Sequence, residues 1–176
     1  GFIASLAHGF GIFIYALISI FSLTVLENIL PSTIPIIQLL GAIFLIYLGY
    51  KILFLKTSDQ EVNNQTKLPK TILDDFVLGL TISLINPKIL IFFTSIFSQF
   101  INQDYSIYTK LGMGLLAGII DTAWYVLVSY SVSIKVIENF IRSRQRLIFL
   151  ILGMFLIIFS FYLTFKAIKY FILIAN

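Results

Sequence analysis

The chain has 176 residues, of which 59% are hydrophobic and 11% charged, and its formal net charge is +4. A soluble domain carries roughly 25% charge, and none of this size can hide so much apolar surface, so the composition excludes a soluble fold and makes the lipid bilayer the solvent. The positive balance sits in short loops and calls for no nucleic-acid partner, and the absence of cysteine removes disulfides, thiol redox chemistry and cysteine-ligated metal.

The first apolar stretch, residues 2–26, carries no charge before Glu27. It is too long for a signal peptide and lacks the basic leader of one. Because the chain opens on Gly1 without an initiator methionine, a missing start is expected. Ala4, His8, Gly11, Tyr15, Ser19 and Ser22 recur at helical spacing and predict one small, polar face. His8 can relay protons there, since imidazole changes charge near neutral pH, or it can make a packing hydrogen bond.

A short turn holding Glu27, Asn28, Pro31 and Pro35 leads to a second apolar stretch, residues 34–55. The polar segment 56–75 then reads as a cytoplasmic linker that splits one membrane-embedded unit into residues 1–55 and residues 76–176. The third stretch, residues 76–101, contains Asn86-Pro87-Lys88 at its middle. Pro87 has no amide hydrogen and its ring presses on the carbonyl of Ser83, so a break is predicted. Asn is a favoured N-cap and Pro a favoured first helical residue, so a half-helix can restart at this point. Its free amides, dipole and Lys88 would make an anion site in the membrane; the alternative is a packing kink with a snorkelling lysine. Thr81, Lys88, Ser95 and Gln99 would share one face of an unbroken helix, lining water or gluing helices together.

The fourth stretch, residues 111–134, places Asp121 among apolar neighbours. A central carboxylate costs about 2.5 to 3.5 kcal/mol on insertion, which ten Leu, Ile and Val side chains at roughly 0.3 to 0.6 kcal/mol each offset. Asp121 must turn inward, onto a face that Gly114, Ala117 and Gly118 keep narrow, with Trp124 and Tyr125 beside it. An ion pair with Lys88 is the structural alternative to a ligand site. A half-helix N-terminus with Lys88 attracts a carboxylate and Asp121 attracts an ammonium, which are the two ends of a free amino acid. The remaining aromatics, mainly phenylalanine, read as lipid-facing bulk or core.

The fifth stretch, residues 147–165, stays apolar past Lys166 and Lys169. Eight basic residues (Lys51, Lys56, Lys67, Lys70, Lys135, Arg142, Arg144 and Arg146) flank the second and fourth connections, which the positive-inside rule makes cytoplasmic. The basic cluster at 142–146 is either this topology signal or an acidic-lipid site. The expected fold class is therefore all-α, a polytopic membrane helix bundle with five transmembrane helices present.

Shifting the sequence by 110 positions lays Leu6, Ala7, Tyr15, Leu17 and Ser19 on Leu116, Ala117, Tyr125, Leu127 and Ser129. A shift of 112 lays Leu40, Gly41 and Tyr50 on Leu152, Gly153 and Tyr162. The third helix then lacks a partner, so a sixth helix upstream of Gly1 is expected. The arrangement would be an inverted 3+3 repeat, as in many secondary transporters, with 1–55 the remainder of the first copy and 76–176 the second.

Gly79-Leu-Thr-Ile-Ser-Leu-Ile-Asn-Pro-Lys88, Phe97-Ser-Gln-Phe100 and Asp121-Thr-Ala-Trp-Tyr125 resemble the second half of the lysine exporter family, which includes homoserine and threonine exporters. Leu39-Leu-Gly-Ala42 and Tyr47-Leu-Gly-Tyr-Lys51 resemble its third helix. The likeness spans essentially the whole chain, although Ser98 stands where the family usually has proline and Tyr15 where many members have histidine. The resemblance implies a six-helix bacterial inner-membrane protein, with a first helix carrying a Pro-Gly-Pro element, that exports amino acids or related small solutes, commonly by proton exchange.

The expectation is thus a secondary transporter and not an enzyme, since one histidine, no cysteine and few carboxylates supply no catalytic cluster. No Walker-type glycine loop is present, so a proton gradient is the expected energy source. Asn86, Pro87 and Lys88 are assigned to the substrate carboxylate, Asp121 to its ammonium or a coupling proton, and His8 to proton coupling. Trp124, Tyr125 and Tyr15 would line the path. No cofactor or metal is expected; the partners are the bilayer and a small amino-acid substrate, and self-association into a homo-oligomer is left open. A cation exporter of the same fold and a structural membrane subunit are the alternatives.

Overall fold

The computed structural model describes residues 2–54, 71–102, 104–132 and 134–175. They form α1 (Phe2–Ile29), a 3-10 turn (Pro31–Thr33), α2 (Ile34–Leu53), α3 (Ile72–Leu84), α4 (Pro87–Phe97), α5 (Ile107–Val132) and α6 (Lys135–Ala175). Among the described residues α1, α2, α5 and α6 are each long and apolar enough to span a bilayer. The pair α3–α4, bent by 58°, makes a fifth span when counted as one broken helix. The chain is an all-α polytopic bundle, as the composition requires.

Residues 56–70 of the expected linker lie outside the described residues, but Ile72 to Asp75 already belong to α3. Thr71 fixes that start. Its hydroxyl accepts from the Asp74 amide at 3.1 Å while the Asp74 carboxylate accepts from the Thr71 amide at 3.0 Å, so each satisfies a donor the first turn leaves open. The sequence signal for this box is local, a Thr three residues before an Asp.

Asn86-Pro87 breaks the third span as predicted. The Asn86 side chain accepts from the Lys88 amide at 3.1 Å and Pro87 occupies the first position of α4, where its missing donor is harmless. The break corrects one expectation: Thr81, Lys88, Ser95 and Gln99 do not share a face. Thr81 and Lys88 lie at the surface, whereas Ser95 and Gln99 are buried.

A second correction concerns residues 135–146, expected as a basic loop. They form the beginning of α6, which runs for 41 residues. At 1.5 Å per residue that helix is about 60 Å long, twice a hydrocarbon core of about 30 Å, so its charged start extends beyond the apolar zone. Nothing in Lys135–Leu147 breaks a helix, and Arg142, Arg144 and Arg146 remain exposed.

The helices are joined through glycines and small side chains. A Cβ on Gly118 would lie 2.9 Å from the Gly9 carbonyl oxygen and 3.0 Å from the Phe13 Cβ, and Leu17 packs on Gly114, so α1 and α5 cross in opposite directions. Gly49 and Gly153 bring α2 and α6 together in the same reciprocal way, each carbonyl within 3.0 Å of the other's added Cβ. Ala4 packs on Gly79 and Gly11 on Ser83, which makes α1 and α3 parallel. Gly41 packs on Ser95 and Gln38 bonds to Ser98, which makes α2 and α4 antiparallel. These directions are those of helices that cross the membrane in turn, with the ends of α2 and α5 on one side.

Direct contact between α1 and α2 is slight, and α4 lies against both. Ala16, Ile20 and Leu23 of α1, Ile34 of α2 and Phe97 of α4 form one buried cluster; Ala42, Leu45 and Leu163 form another between α2 and α6. Long apolar side chains on the outer faces of α5 and α6, such as Leu127, Ile151, Phe155 and Phe165, are exposed, as lipid-facing residues are.

Lys166 lies toward the far end of α6, away from the basic start of that helix. It is explained by its partners: its ammonium donates to the Gln99 carbonyl at 2.8 Å, just past α4, and lies 5.7 Å from the centre of the Phe100 ring. A cation at a helix C-terminus meets the negative end of the dipole and an unsatisfied carbonyl together.

Candidate functional site: a carboxylate–imidazole pair beside an aromatic groove

The polar face predicted on α1 is the surface that α1 turns to the other helices. Ala4 meets Gly79, Gly11 meets Ser83, the Tyr15 hydroxyl donates to the Leu84 carbonyl, and the Ser19 and Thr94 hydroxyls bond at 3.2 Å. Ser22 falls outside this seam and is exposed. Tyr15 therefore serves the helix break directly, giving a donor to one of the carbonyls that end α3.

His8 belongs to the same face and points to α5. Its Nδ1 lies 2.7 Å from Oδ2 of Asp121, with the histidine side chain 7% and the carboxylate 20% exposed. An ionised carboxylate only accepts, so in that state the proton of this bond belongs to Nδ1. The glycine crossing is what makes the contact: Gly9 and Gly118, beside His8 and one turn from Asp121, let the two backbones approach until these short side chains meet. Tyr125 covers the imidazole, ring centres 4.4 Å apart and inclined by 46°.

The partner of Asp121 is thus His8 and not Lys88, which corrects the ion-pair alternative. Lys88 is exposed, and its amide is held by Asn86. The Ile89 amide is also bonded, to the Asn86 carbonyl at 3.1 Å, so α4 begins with two of its first amides satisfied within the chain.

Asp121 is among the residues that line a groove of about 500 Å³ between α4 and α5. Phe92, Phe93, Phe97 and Phe100 line one wall; Met113, Ala117, Ile120 and Trp124 are on the other. Trp124 lines this groove with 58% of its surface exposed. Of the residues singled out in the sequence, Asp121 and Trp124 meet here, His8 and Tyr125 stand behind Asp121, and Asn86, Pro87, Lys88 and Tyr15 belong to the helix break.

Two features were missed. The phenylalanines read as lipid-facing bulk or core also line the groove, and the spacing of Phe93 and Phe97, four residues apart on α4, was the available signal for a shared helix face. The second is Gln38. Its side-chain amide donates to the Ser98 carbonyl at 2.7 Å, and the Gln99 side-chain amide donates to the Gln38 carbonyl at 3.0 Å, so α2 and α4 are clasped reciprocally.

The fold is that of a multi-pass helical membrane protein. The chain belongs to the LysE type translocator family, whose model it matches over residues 1–167. It is 35% identical over 95 residues to a Haemophilus influenzae protein described as an uncharacterized membrane protein, covering 50% of this chain and 43% of that one. It is 30% identical over 119 residues to the leucine efflux proteins of Salmonella typhimurium and Salmonella typhi, covering 66% of this chain and 55% of theirs. The chain spans about half the length of the curated relatives it matches. No solved structure shows significant similarity to it. The family is one of translocators, which is not an enzyme class, and in bacteria the membrane of such a protein is the inner one.

Proposed function

We propose that the protein exports amino acids from the cytoplasm in exchange for protons, with Asp121 as the group that takes the substrate ammonium and the proton in turn. The observation that carries this reading is the 2.7 Å contact with His8 of an Asp121 that also lines a groove. An ionisable carboxylate inside a membrane bundle is costly to insert and calls for a role, and this one has a titratable partner and an open side. The bond to His8 engages Oδ2, and the carboxylate borders the groove. Ionised Asp121 attracts an ammonium; protonation removes that attraction and releases the substrate, while His8 holds the carboxyl in place in either state.

The break at Ile85–Asn86 supports the same reading, because interrupted helices near the bilayer centre are where secondary transporters build their sites. Asn86, Pro87 and Lys88 are proposed for the substrate carboxylate and Tyr15 for the shape of the break. Two antiparallel glycine crossings, α1 on α5 and α2 on α6, are what an in-plane two-fold axis would generate, which supports the inverted repeat.

The test is amino-acid efflux from loaded vesicles under an imposed proton gradient, comparing the wild-type protein with Asp121→Asn. Asp121→Asn should lower efflux at least tenfold at equal levels of folded protein, a loss of about 1.4 kcal/mol per factor of ten. Unchanged efflux would remove Asp121 from the mechanism.

A further inference from the structure

We infer that Lys110 and Glu27 pair across α5 and α1, and that this pair is a latch closing the end of the bundle opposite the basic start of α6. The inference rests on the export reading above for its purpose, since a latch matters only on a path, but its test reads closure without measuring transport.

Lys110 lies in the first turn of α5 and is only 7% exposed. Lysine is almost never buried alone, because an ammonium taken out of water is costly unless an opposite charge meets it. The cluster beneath it points to that charge. Met113 of α5 and Leu26 of α1 both pack against buried Ile20, Leu23 and Ile34. Lys110 comes one turn before Met113, and Glu27 follows Leu26 and comes one turn after Leu23, so in these antiparallel helices both stand over the same end of the cluster. Asp104, in the turn before α5, is the other acidic side chain at that end, and it is exposed. Glu27 is partly buried, with one carboxylate oxygen shielded from solvent. Glu27 is therefore the counter-charge.

Helix dipoles do not explain either residue. A cation in the first turn of α5 and an anion in the last turn of α1 each face the unfavourable end of their own helix. Their attraction for each other is what offsets that placement.

Lys110, Met113, Ala117, Asp121 and Trp124 follow one another at steps of three or four, along one stripe of α5. At 1.5 Å per residue, Lys110 is roughly 16 Å along the axis from Asp121. A solute at Asp121 that moves toward Lys110 meets first the apolar cluster and then the charged pair. The positive-inside rule makes that end the outer one. Charges suit a latch because the hydration each regains on separation offsets much of the attraction it loses, which keeps the open state within reach.

The chain has no cysteine, so Met113→Cys places a single thiol just beneath the pair. Its reaction with a membrane-impermeant thiol reagent added outside intact cells measures closure. Labelling should be slow with Glu27 and Lys110 in place and at least tenfold faster after Glu27→Gln or Lys110→Met. The exchange of charges, Glu27→Lys with Lys110→Glu, should restore the slow rate to within about threefold, since it rebuilds the pair and suits both helix dipoles.

Unchanged labelling in both single variants overturns the latch. An exchanged pair that labels as fast as the single variants overturns the pairing, because the faster rate then reports loosened packing. Labelling of Met113→Cys with both charges intact at the rate of Tyr105→Cys, in the exposed turn before α5, overturns the closure. Efflux of no amino acid by the wild type overturns the export reading, and the labelling rates still decide the latch.

Discussion

Gln38 and Gln99 bind across α2 and α4 by giving their side-chain amides to main-chain carbonyls, whereas His8 and Asp121 bind across α1 and α5 side chain to side chain. The first cluster is neutral and almost fully buried, at 9% and 3% exposure. The second is ionisable, and its carboxylate opens on a groove. Amide-to-backbone bonds depend only on the helices keeping their register, so such a clasp holds under any proton concentration. A carboxylate–imidazole bond changes with every proton gained or lost. One polar contact joins two helices; the other joins them conditionally. Polarity inside a membrane bundle is therefore no sign of function until the partner is known.

Five substitutions separate the two clusters. His8→Leu leaves the Asp121 carboxylate without its partner and should have the largest effect on stability, about 2 to 4 kcal/mol with the upper figure reduced by partial exposure. Adding Asp121→Leu should recover most of that loss in a thermal unfolding measurement while efflux stays absent; a double variant no more stable than the single would break the pairing. Gln38→Leu withdraws a donor from the Ser98 carbonyl and should cost about 1 to 3 kcal/mol in stability, with efflux per folded molecule unchanged.

Gln99→Leu is expected to cost less than Gln38→Leu, because the buried Gln99 Oε1 has no hydrogen-bond partner and the substitution removes that acceptor along with the donor. The reverse order in a chemical denaturation series would show that Oε1 is satisfied in solution. Lys166→Met should have the smallest effect, about 1 kcal/mol or less, since its ammonium remains exposed while it bonds the Gln99 carbonyl.

The sequence disclosed the parts of this molecule that local rules govern. Asn86-Pro87 breaks a helix wherever it stands, five of the six residues in the α1 stripe occupy the packed face that their spacing predicts, and a lone carboxylate in an apolar stretch must turn inward. It could not disclose the partner of Asp121. Lys88 and His8 were both available, and the choice depends on a crossing at Gly9 and Gly118, residues 109 positions apart whose only local property is smallness. The aromatic groove was hidden for a related reason. Phenylalanine is equally at home against lipid, core or ligand, so its composition carries no address. The start of α6 was misread because charge density marks the limit of the membrane and says nothing about where a helix ends.

The reciprocal crossings at Gly9–Gly118 and Gly49–Gly153 bring each glycine's carbonyl to within 3.0 Å of where the other's Cβ would stand, with Thr122, Ile157 and Leu53 packed against the same points, so little room is left there to absorb a shift. Each pair, α1 with α5 and α2 with α6, behaves as a welded girder. The two girders touch each other little, and the bent α3–α4 rod runs between them, lying along α1 and bearing on α2. Any motion that widens or narrows the groove must then be taken up by that rod, and its weak point is the step at Ile85 and Asn86, where the Asn86 side chain and carbonyl and the Tyr15 hydroxyl stand in for the helical bonds.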